Sequence, residues 1–523
     1  MNIVLKFMTL YERIMQLLEP VVTYSPNYFY SHLAFSLTSA YEVMKSNRRK
    51  MTPKISRCNS CGKFLHSMNI LGRNSVTVCG AILLLFLMAG TIPYWHQQFH
   101  YFNAAEAGEG ECIEYDEGEN TITVNCNASL LDVVQSVNEP DILENSGTGE
   151  YVLNANLEVA DGITFEMTSN DDGLLYLKIS GENGIIVYGK IVINGVKITS
   201  WDVFNEDVIQ QDINGAVRRG YVQFAGSEEA QIINSEFGYL GYQESGRRGF
   251  DLFGEGGSHD MVIRGSKFHH MWFAFFSNGA YNIVVDGNEY HNNIKYALDP
   301  HTGTYNMNIT NNWLHHNPLG VICSLDCYNI LIEGNLIEHN SNYGIFFSRN
   351  MHDSIARNNH VHNSGIGITV SESPNNQIYN NTIEGARQGI RLFNPELADD
   401  GFTENNLVYN NDIINSEYGI ETVRSHDNIL DNNRFSDIGA SEYRLSGGSS
   451  MIIRGQHFDN ALISQENSEL ASHVQIVDSG IIQVTEGETD EEEEEGEGDS
   501  YNTDIEPYRR TLSDGDDIKV NSS

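Results

Sequence analysis

Asparagines recurring at a nearly fixed interval restrict the fold of this 523-residue chain more than any other feature. Asn288, Asn312, Asn335, Asn359, Asn381, Asn411 and Asn433 are separated by 24, 23, 24, 22, 30 and 22 residues. Tyr281-Asn282-Ile283, Tyr305-Asn306-Met307 and Tyr328-Asn329-Ile330 keep the same step. So do Gly320, Gly344, Gly367, Gly389 and Gly419, with Ala297 one step ahead of them. The single long step implies one coil with an insertion, placed at Pro395 to Phe402. Short β-rich runs broken by Asn and Gly turns at this period predict an all-β, right-handed parallel β-helix with one coil per repeat. Stacked Asn side chains would then bond coil to coil. A leucine-rich solenoid is excluded, because its Leu-x-x-Leu-x-Leu pattern is missing.

The ladder also gives directions. After each glycine, apolar residues occupy the first and third following positions: Val321 and Cys323, Ile345 and Phe347, Ile390 and Leu392. Side chains alternate along a strand, so these face inward. In the same register Leu298 and Pro300 point in, while Asp299 and His301 point out, roughly 7 Å apart along the strand. The outward column through Asp299 runs Asp251, Phe276, Ile322, Phe346, Thr369, Arg391 and Glu421. An exposed ribbon mixing aromatic and charged groups suits a sugar polymer lying along the solenoid, with Phe276 and Phe346 as platforms. A solvated face is the alternative.

On that ribbon, Tyr296-Ala297-Leu298-Asp299-Pro300-His301 places a phenol, a carboxylate and an imidazole in one short segment. Pro300 fixes its own φ and holds its two neighbours in one relative orientation. Three proton-moving groups this close can perform general acid–base chemistry. In isolation the segment also reads as a polar turn.

Charge divides the chain. The net charge is −40, and residues 1–73 carry ten Lys/Arg against three Asp/Glu, which leaves −47 on the remainder. So acidic a body excludes nucleic acid as a partner. Val76 to Trp95 is twenty residues without a charge, long enough to span a bilayer. The cluster Lys45, Arg48, Arg49, Lys50, Lys54, Arg57, Lys63 and Arg73 before it puts residues 1–75 in the cytoplasm. A start at Met68 would instead make 76–90 the apolar region of an export signal, cleaved near Ala104-Ala105. Either way the β-helix is expected outside the cytoplasm.

The remaining divisions follow from composition. Residues 96–150 read as a linker and a capping segment, in which a helix starting at Ser129 covers the solenoid's open end. Residues 151–460 form the β-helix, and 461–523 an acidic, largely disordered tail, with ten acidic residues between Glu486 and Asp499. Cys112 and Cys126 bracket a hairpin-like segment and can form a disulfide. Cys323 and Cys327 read either as a bonded pair or as buried thiols. Cys58-x-x-Cys61 has no assigned role.

The six-residue segment resembles the Tyr-Gly-Phe-Asp-Pro-His signature of mannuronan (alginate) C5-epimerases. The likeness extends over roughly residues 150–450 and is carried also by Ile198-Thr199-Ser200-Trp201-Asp202, by Ser235 to Tyr242 and by Tyr343 to Arg349. It implies a β-helix that converts mannuronate to guluronate in a β-1,4-linked polyuronate. Tyr296 and His301 would be the acid–base pair and Asp299 the neighbouring carboxylate. The sequence departs from the signature at Ala297 and Leu298, and at Thr302, where the family usually continues with an acidic residue. These departures bear on substrate identity more than on the reaction.

Epimerisation at C5 removes a weakly acidic proton beside a carboxylate and returns one to the opposite face. It needs a base, an acid and a cation on the carboxylate. Arg349 leads the candidate cations, followed by Arg391, Lys295 and Arg264. Asp299 is expected to raise the His301 pKa and fix its tautomer, and Lys295 to depress Tyr296. His291, His315, His339 and His362 read as structural stacking, with His315 and His339 as the alternative substrate contacts. No cofactor is required and no metal site is assigned, although a −47 exterior repels a polyuronate. Local cations or bound Ca²⁺ must therefore offset that repulsion. Two other readings remain: a polysaccharide lyase with the same proton abstraction, and a non-catalytic carbohydrate-binding β-helix. A glycosidase lacks its outward Asp/Glu pair in adjacent coils.

Overall fold

The computed structural model describes residues 112–486, apart from 170–174, 254–256, 396–401, 447–448, 456–461, 466–473 and 478–482. The basic N-terminal segment, Val76 to Trp95, Cys58-x-x-Cys61 and the acidic run after Glu486 lie outside the described residues. Among the described residues no helix is long and apolar enough to cross a membrane.

The regular coils send one strand into each of three sheets, of 16, 14 and 13 strands, parallel except for one antiparallel pair at the N-terminal end of two of them, giving an all-β right-handed solenoid of about 12 turns. One coil shows the plan. Phe273–Asn278 lies in the 16-stranded sheet, Tyr281–Asp286 in the 14-stranded sheet and Glu289–His291 in the 13-stranded sheet. The chain then returns to the 16-stranded sheet at Tyr296–His301. The core is a set of in-register columns. Ile198, Phe237, Phe268, Tyr290, Leu314, Ile337, Val361, Ile383 and Ile413 are register partners in successive strands, and all are fully buried.

Asparagine ladders hold the corners. Asn288, Asn312, Asn335, Asn359, Asn381, Asn411 and Asn433 are buried where the 14-stranded sheet turns into the 13-stranded one. Each after Asn288 accepts from the backbone N–H and the side-chain amide of the Asn before it, at 2.9–3.1 Å. The preceding residue adopts left-handed φ, for example Gly287 at 66°, Asn311 at 55° and Asn358 at 55°. Gly and Asn enter that region at least cost, which explains the Gly-Asn and Asn-Asn doublets. Two further ladders, Asn293–Asn317–Asn340 and Asn376–Asn406–Asn428, secure the other two corners. The glycine column marks a close approach instead. A Cβ on Gly344 would lie 2.5 Å from Val361 and 2.7 Å from the Gly367 carbonyl.

Strands occur on both sides of the expected 151–460 boundaries. Thr121–Val124 already pairs in parallel with Asn156–Val159, and parallel pairing continues to Gln483–Glu486. The helix Leu130–Val137 starts at the capping box of Ser129 and Asp132 and buries Leu130 and Val133 against the first coils. Cys112 and Cys126 are disulfide-bonded, and Cys323 and Cys327 are buried free thiols. The insertion leaves the end of Gln388–Phe393, and its base is closed by the Thr403 N–H donating to Asn394 Oδ1 at 2.8 Å.

The outward column has the expected membership, because Asp251, Phe276 and Asp299 are register partners, as are Ile322, Phe346, Thr369, Arg391 and Glu421. Its exposure is corrected. Asp251, Phe276, Asp299, Ile322, Thr369 and Glu421 are each at most 7% exposed. Side chains stacked at the strand spacing of about 4.8 Å cover one another.

Candidate active site

The strand Tyr296–His301 lies between Phe273–Asn278 and Leu319–Ser324 in the middle of the 16-stranded sheet. Leu298 belongs to the apolar core, while Asp299 and His301 stand on the outer side of the sheet with Tyr296 half-buried at the strand's start. Pro300 is tolerated here because its missing N–H falls at a gap in the ladder, where the partner strand pairs only through Tyr296, Leu298 and His301.

His301 is held from both sides. Its Nδ1 meets Thr302 Oγ1, and Arg349 donates to its Nε2 at 3.3 Å. Arginine has no acceptor, so Nε2 carries no proton and the neutral ring's proton sits on Nδ1. Burial, then Arg349, then Arg248, pull the His301 pKa down to about 3. Two expectations are corrected here. Asp299 does not raise the His301 pKa, and the hydroxyl of Thr302 fixes the tautomer. Thr302, a departure from the resembled signature, therefore serves the imidazole directly.

Asp299 forms the floor. Burial drives its carboxyl well above the usual range, against the opposing pull of Arg248 and Arg349, and one carboxyl oxygen has no hydrogen-bond partner among the described residues. Arg349 reaches the site from the turn after Tyr343–Ser348, with its backbone at φ 51°, and its guanidinium also donates to Ser324 Oγ at 2.7 Å. Phe276 lies one rung from Asp299, its ring centroid 5.3 Å from that of His301. Phe273 packs edge-on to Tyr296 at 4.9 Å.

The other candidates are placed as follows. Lys295 precedes the strand, with its ammonium 5.2 Å from the centre of the Trp272 ring. Phe346 is two rungs along and stacks on Tyr343 at 4.7 Å. Arg391 lies four rungs away, about 19 Å at the strand spacing. There it pairs with Glu421 at 3.0 Å, and Glu421 also takes Arg444 at 3.3 Å. Arg391 therefore cannot serve the centre at Asp299. Arg264 is corrected outright: it is on the 14-stranded sheet, exposed, and paired with Asp286 at 3.0 Å. His291 and His315 stack at 5.2 Å on the 13-stranded sheet and both approach Glu289, which places them in a supporting ladder away from this face.

One residue escaped the sequence reading. Arg248 ends the loop before Gly249–Leu252, donates to Asp251 Oδ2 at 3.2 Å and lies 4.0 Å from the centre of the Phe276 ring. It stands outside every repeat, so periodicity gave it no signal. Only its spacing of three from Asp251 hinted at the pair.

A half-buried imidazole, with the guanidinium groups of Arg349 and Arg248 nearby, thus stands over a buried carboxyl on the outer face of a right-handed β-helix. The chain belongs to the right-handed β-helix family, whose model matches residues 183–350, 252–403 and 357–488. It is similar to the mannuronan C5-epimerase of Pseudomonas aeruginosa, 26% identical over 33% of this chain and 33% of that protein. Similarity to the enzyme of Pseudomonas syringae pv. tomato is 27% over 35% of each chain. These matches span about a third of the relatives' length. In fold, the chain is similar to the crystal structure of the periplasmic alginate epimerase AlgG, which it matches at 20% identity and TM-score 0.50 over 69% of this chain and 85% of that one.

Proposed function

We propose that the chain epimerises uronate residues at C5 in a β-1,4-linked polyuronate, with polymannuronate as substrate, in an exported domain. The observation that carries this reading is the neutral His301, its Nε2 lone pair held by Arg349 beside the buried Asp299. A substrate carboxylate competes with Nε2 for the Arg349 guanidinium. Arg349 moves onto the carboxylate, which neutralises it and releases the lone pair as a base. The C5–H bond then breaks toward His301, and the electron pair enters the neutralised carboxyl group as an enediolate. Tyr296 returns a proton to the opposite face of C5. His301 and Tyr296 recover their starting states by exchange with water. Asp299, whose ionisation burial opposes and both guanidinium groups favour, lines the floor beneath the reacting groups.

Incubating the full chain with polymannuronate tests this directly, with guluronate signals read by NMR. In heavy water, deuterium must appear at C5 of the product. Ultraviolet-absorbing unsaturated ends with chain shortening would instead make the protein a lyase that uses the same residues, because the enediolate would expel the 4-linked sugar. No C5 exchange at all would leave a binding protein.

A further inference from the structure

We propose that Arg248 is a second carboxylate-binding residue, which holds the uronate next to the reacting one and so makes the site specific for consecutive uronates. This inference rests on the epimerase reading for its substrate and on separate geometry for its residue. Among the described residues, the guanidinium of Arg248 makes side-chain hydrogen bonds to Asp251 Oδ2 at 3.2 Å and to Ser245 Oγ at 3.0 Å. Three of its five N–H groups therefore remain for a ligand. Its side chain is 20% exposed, whereas the Asp251 carboxylate beneath it is fully buried. Stacking on Phe276 at 4.0 Å fixes the plane of the fork without using a donor.

Position along the axis gives Arg248 its role. It lies over Phe276, one rung before His301, whereas Arg349 comes from the opposite direction and touches His301 and Ser324. The two cations thus flank the His301 rung from opposite directions along the axis, Arg248 at the preceding rung and Arg349 toward the following one. A 1,4-linked polyuronate carries one carboxylate per sugar, so a chain that places its reacting carboxylate on Arg349 carries further carboxylates along the column past Arg248.

The loop that carries Arg248 is braced for such a task. Arg219 is fully buried and donates to the carbonyls of Ile209, Leu240, Gly241 and His270 at 2.8–3.0 Å. It ties the start of the Leu240–Arg248 loop to the segment before Tyr221 and to the next coil. Gly241 at φ 84° lies so close to Arg248 that a Cβ there would sit 2.1 Å from the Arg248 carbonyl. These contacts leave Arg248 one position rather than a range, so little order is lost on binding.

The test measures binding without turnover, on the full chain, by calorimetry with oligomannuronates and with the same oligomers after carboxyl reduction. Arg248→Gln should weaken oligomannuronate binding about 10- to 100-fold, the share of one charge-assisted hydrogen bond, and leave the reduced oligomers unaffected. Arg248→Lys keeps the charge and should fall between. Because Arg248→Gln leaves Asp251 buried without its partner, Arg248→Gln with Asp251→Asn provides a charge-balanced variant that should show the same loss. Equal loss for oligomannuronate and reduced oligomers would make Arg248 merely structural, and no loss for either would overturn the assignment. If wild type binds oligomannuronate but does not exchange C5, the reaction reading fails while Arg248 is still judged on affinity. Single mannuronate units, which offer only one carboxylate, should not distinguish wild type from Arg248→Gln.

Discussion

Replacing Asn335 with Ala cuts the long ladder at its centre, and the structure gives the cost. The Asn335 amide donates to Ile309 O and to Asn359 Oδ1, both at 2.9 Å. Its oxygen accepts the Asn312 N–H at 2.9 Å and the Asn312 amide at 3.0 Å. Asn359 Oδ1 keeps the Asn335 backbone N–H, and the Asn312 amide keeps Val285 O, so neither is stranded. The Ile309 carbonyl and the Asn312 N–H lose their side-chain partner in a region closed to water. Each stranded buried group costs about 1–3 kcal/mol, so the substitution should cost about 2–6 kcal/mol. Solenoid stability is a sum of neighbouring-coil terms, so the loss should concentrate between Tyr305 and Arg357. Peptide-resolved hydrogen–deuterium exchange on the full chain reads this locally. Lys190→Ala, which breaks a half-exposed pair with Glu229 at 3.4 Å, is the control and should cost no more than about 1 kcal/mol. Unchanged protection in the Asn335→Ala coils, or equal loss across residues 113–200, would refute the view that the ladder staples coil to coil.

Four further outcomes are expected. His301→Ala and Tyr296→Phe should each lower turnover by about 10²- to 10⁴-fold with the exchange pattern of the fold unchanged; wild-type turnover in His301→Ala would remove the site assignment. Asp299→Asn keeps shape but removes the titratable carboxyl beside the two arginines, so it should raise KM or lower kcat without unfolding the protein, as steady-state kinetics and circular dichroism would report. Because His301 binds its proton only near pH 3 when folded but near its ordinary value when unfolded, the unfolded state holds more protons between about 3 and 6.5. Its contribution to stability is therefore lost as pH falls through that window. Asp251, pushed up to about 6 by burial, acts in the opposite sense, losing stability as pH rises from its ordinary value to about 6. An acid limb near pH 6 in kcat/KM should accordingly disappear in Asp251→Asn; a limb near 6.5 that survives there but vanishes with His301 would contradict the depressed imidazole. Finally, protease added to intact cells should reach the acidic tail if Val76 to Trp95 anchors or exports the β-helix, and full protection of the tail would place it inside.

What could be read in the sequence was set by periodicity. In a parallel solenoid, residues one repeat apart occupy equivalent positions, so a regular spacing of Asn, Gly and apolar residues specifies coil, corner and inward face without knowledge of distant contacts. Asn288 to Asn433, the glycine column and the outward register of Asp299 were all legible on that basis. Asn293–Asn317–Asn340 follows the same step and was overlooked because it begins only five residues after the first ladder, within the same turns. The chemistry was legible in kind, since Tyr296, Asp299 and His301 share a single strand. Their ionisation was not, because it depends on groups brought together by stacking and by a loop. Arg349 arrives from two coils away, Arg248 from a segment outside the repeat, and burial in the column outweighs the local carboxylate. Local sequence thus determined which groups stand on the face. Three-dimensional packing decided that Thr302 and Arg349 hold His301, that Arg264 and Arg391 are already paired elsewhere, and that the column is covered, because desolvation and charge act through space and not along the chain.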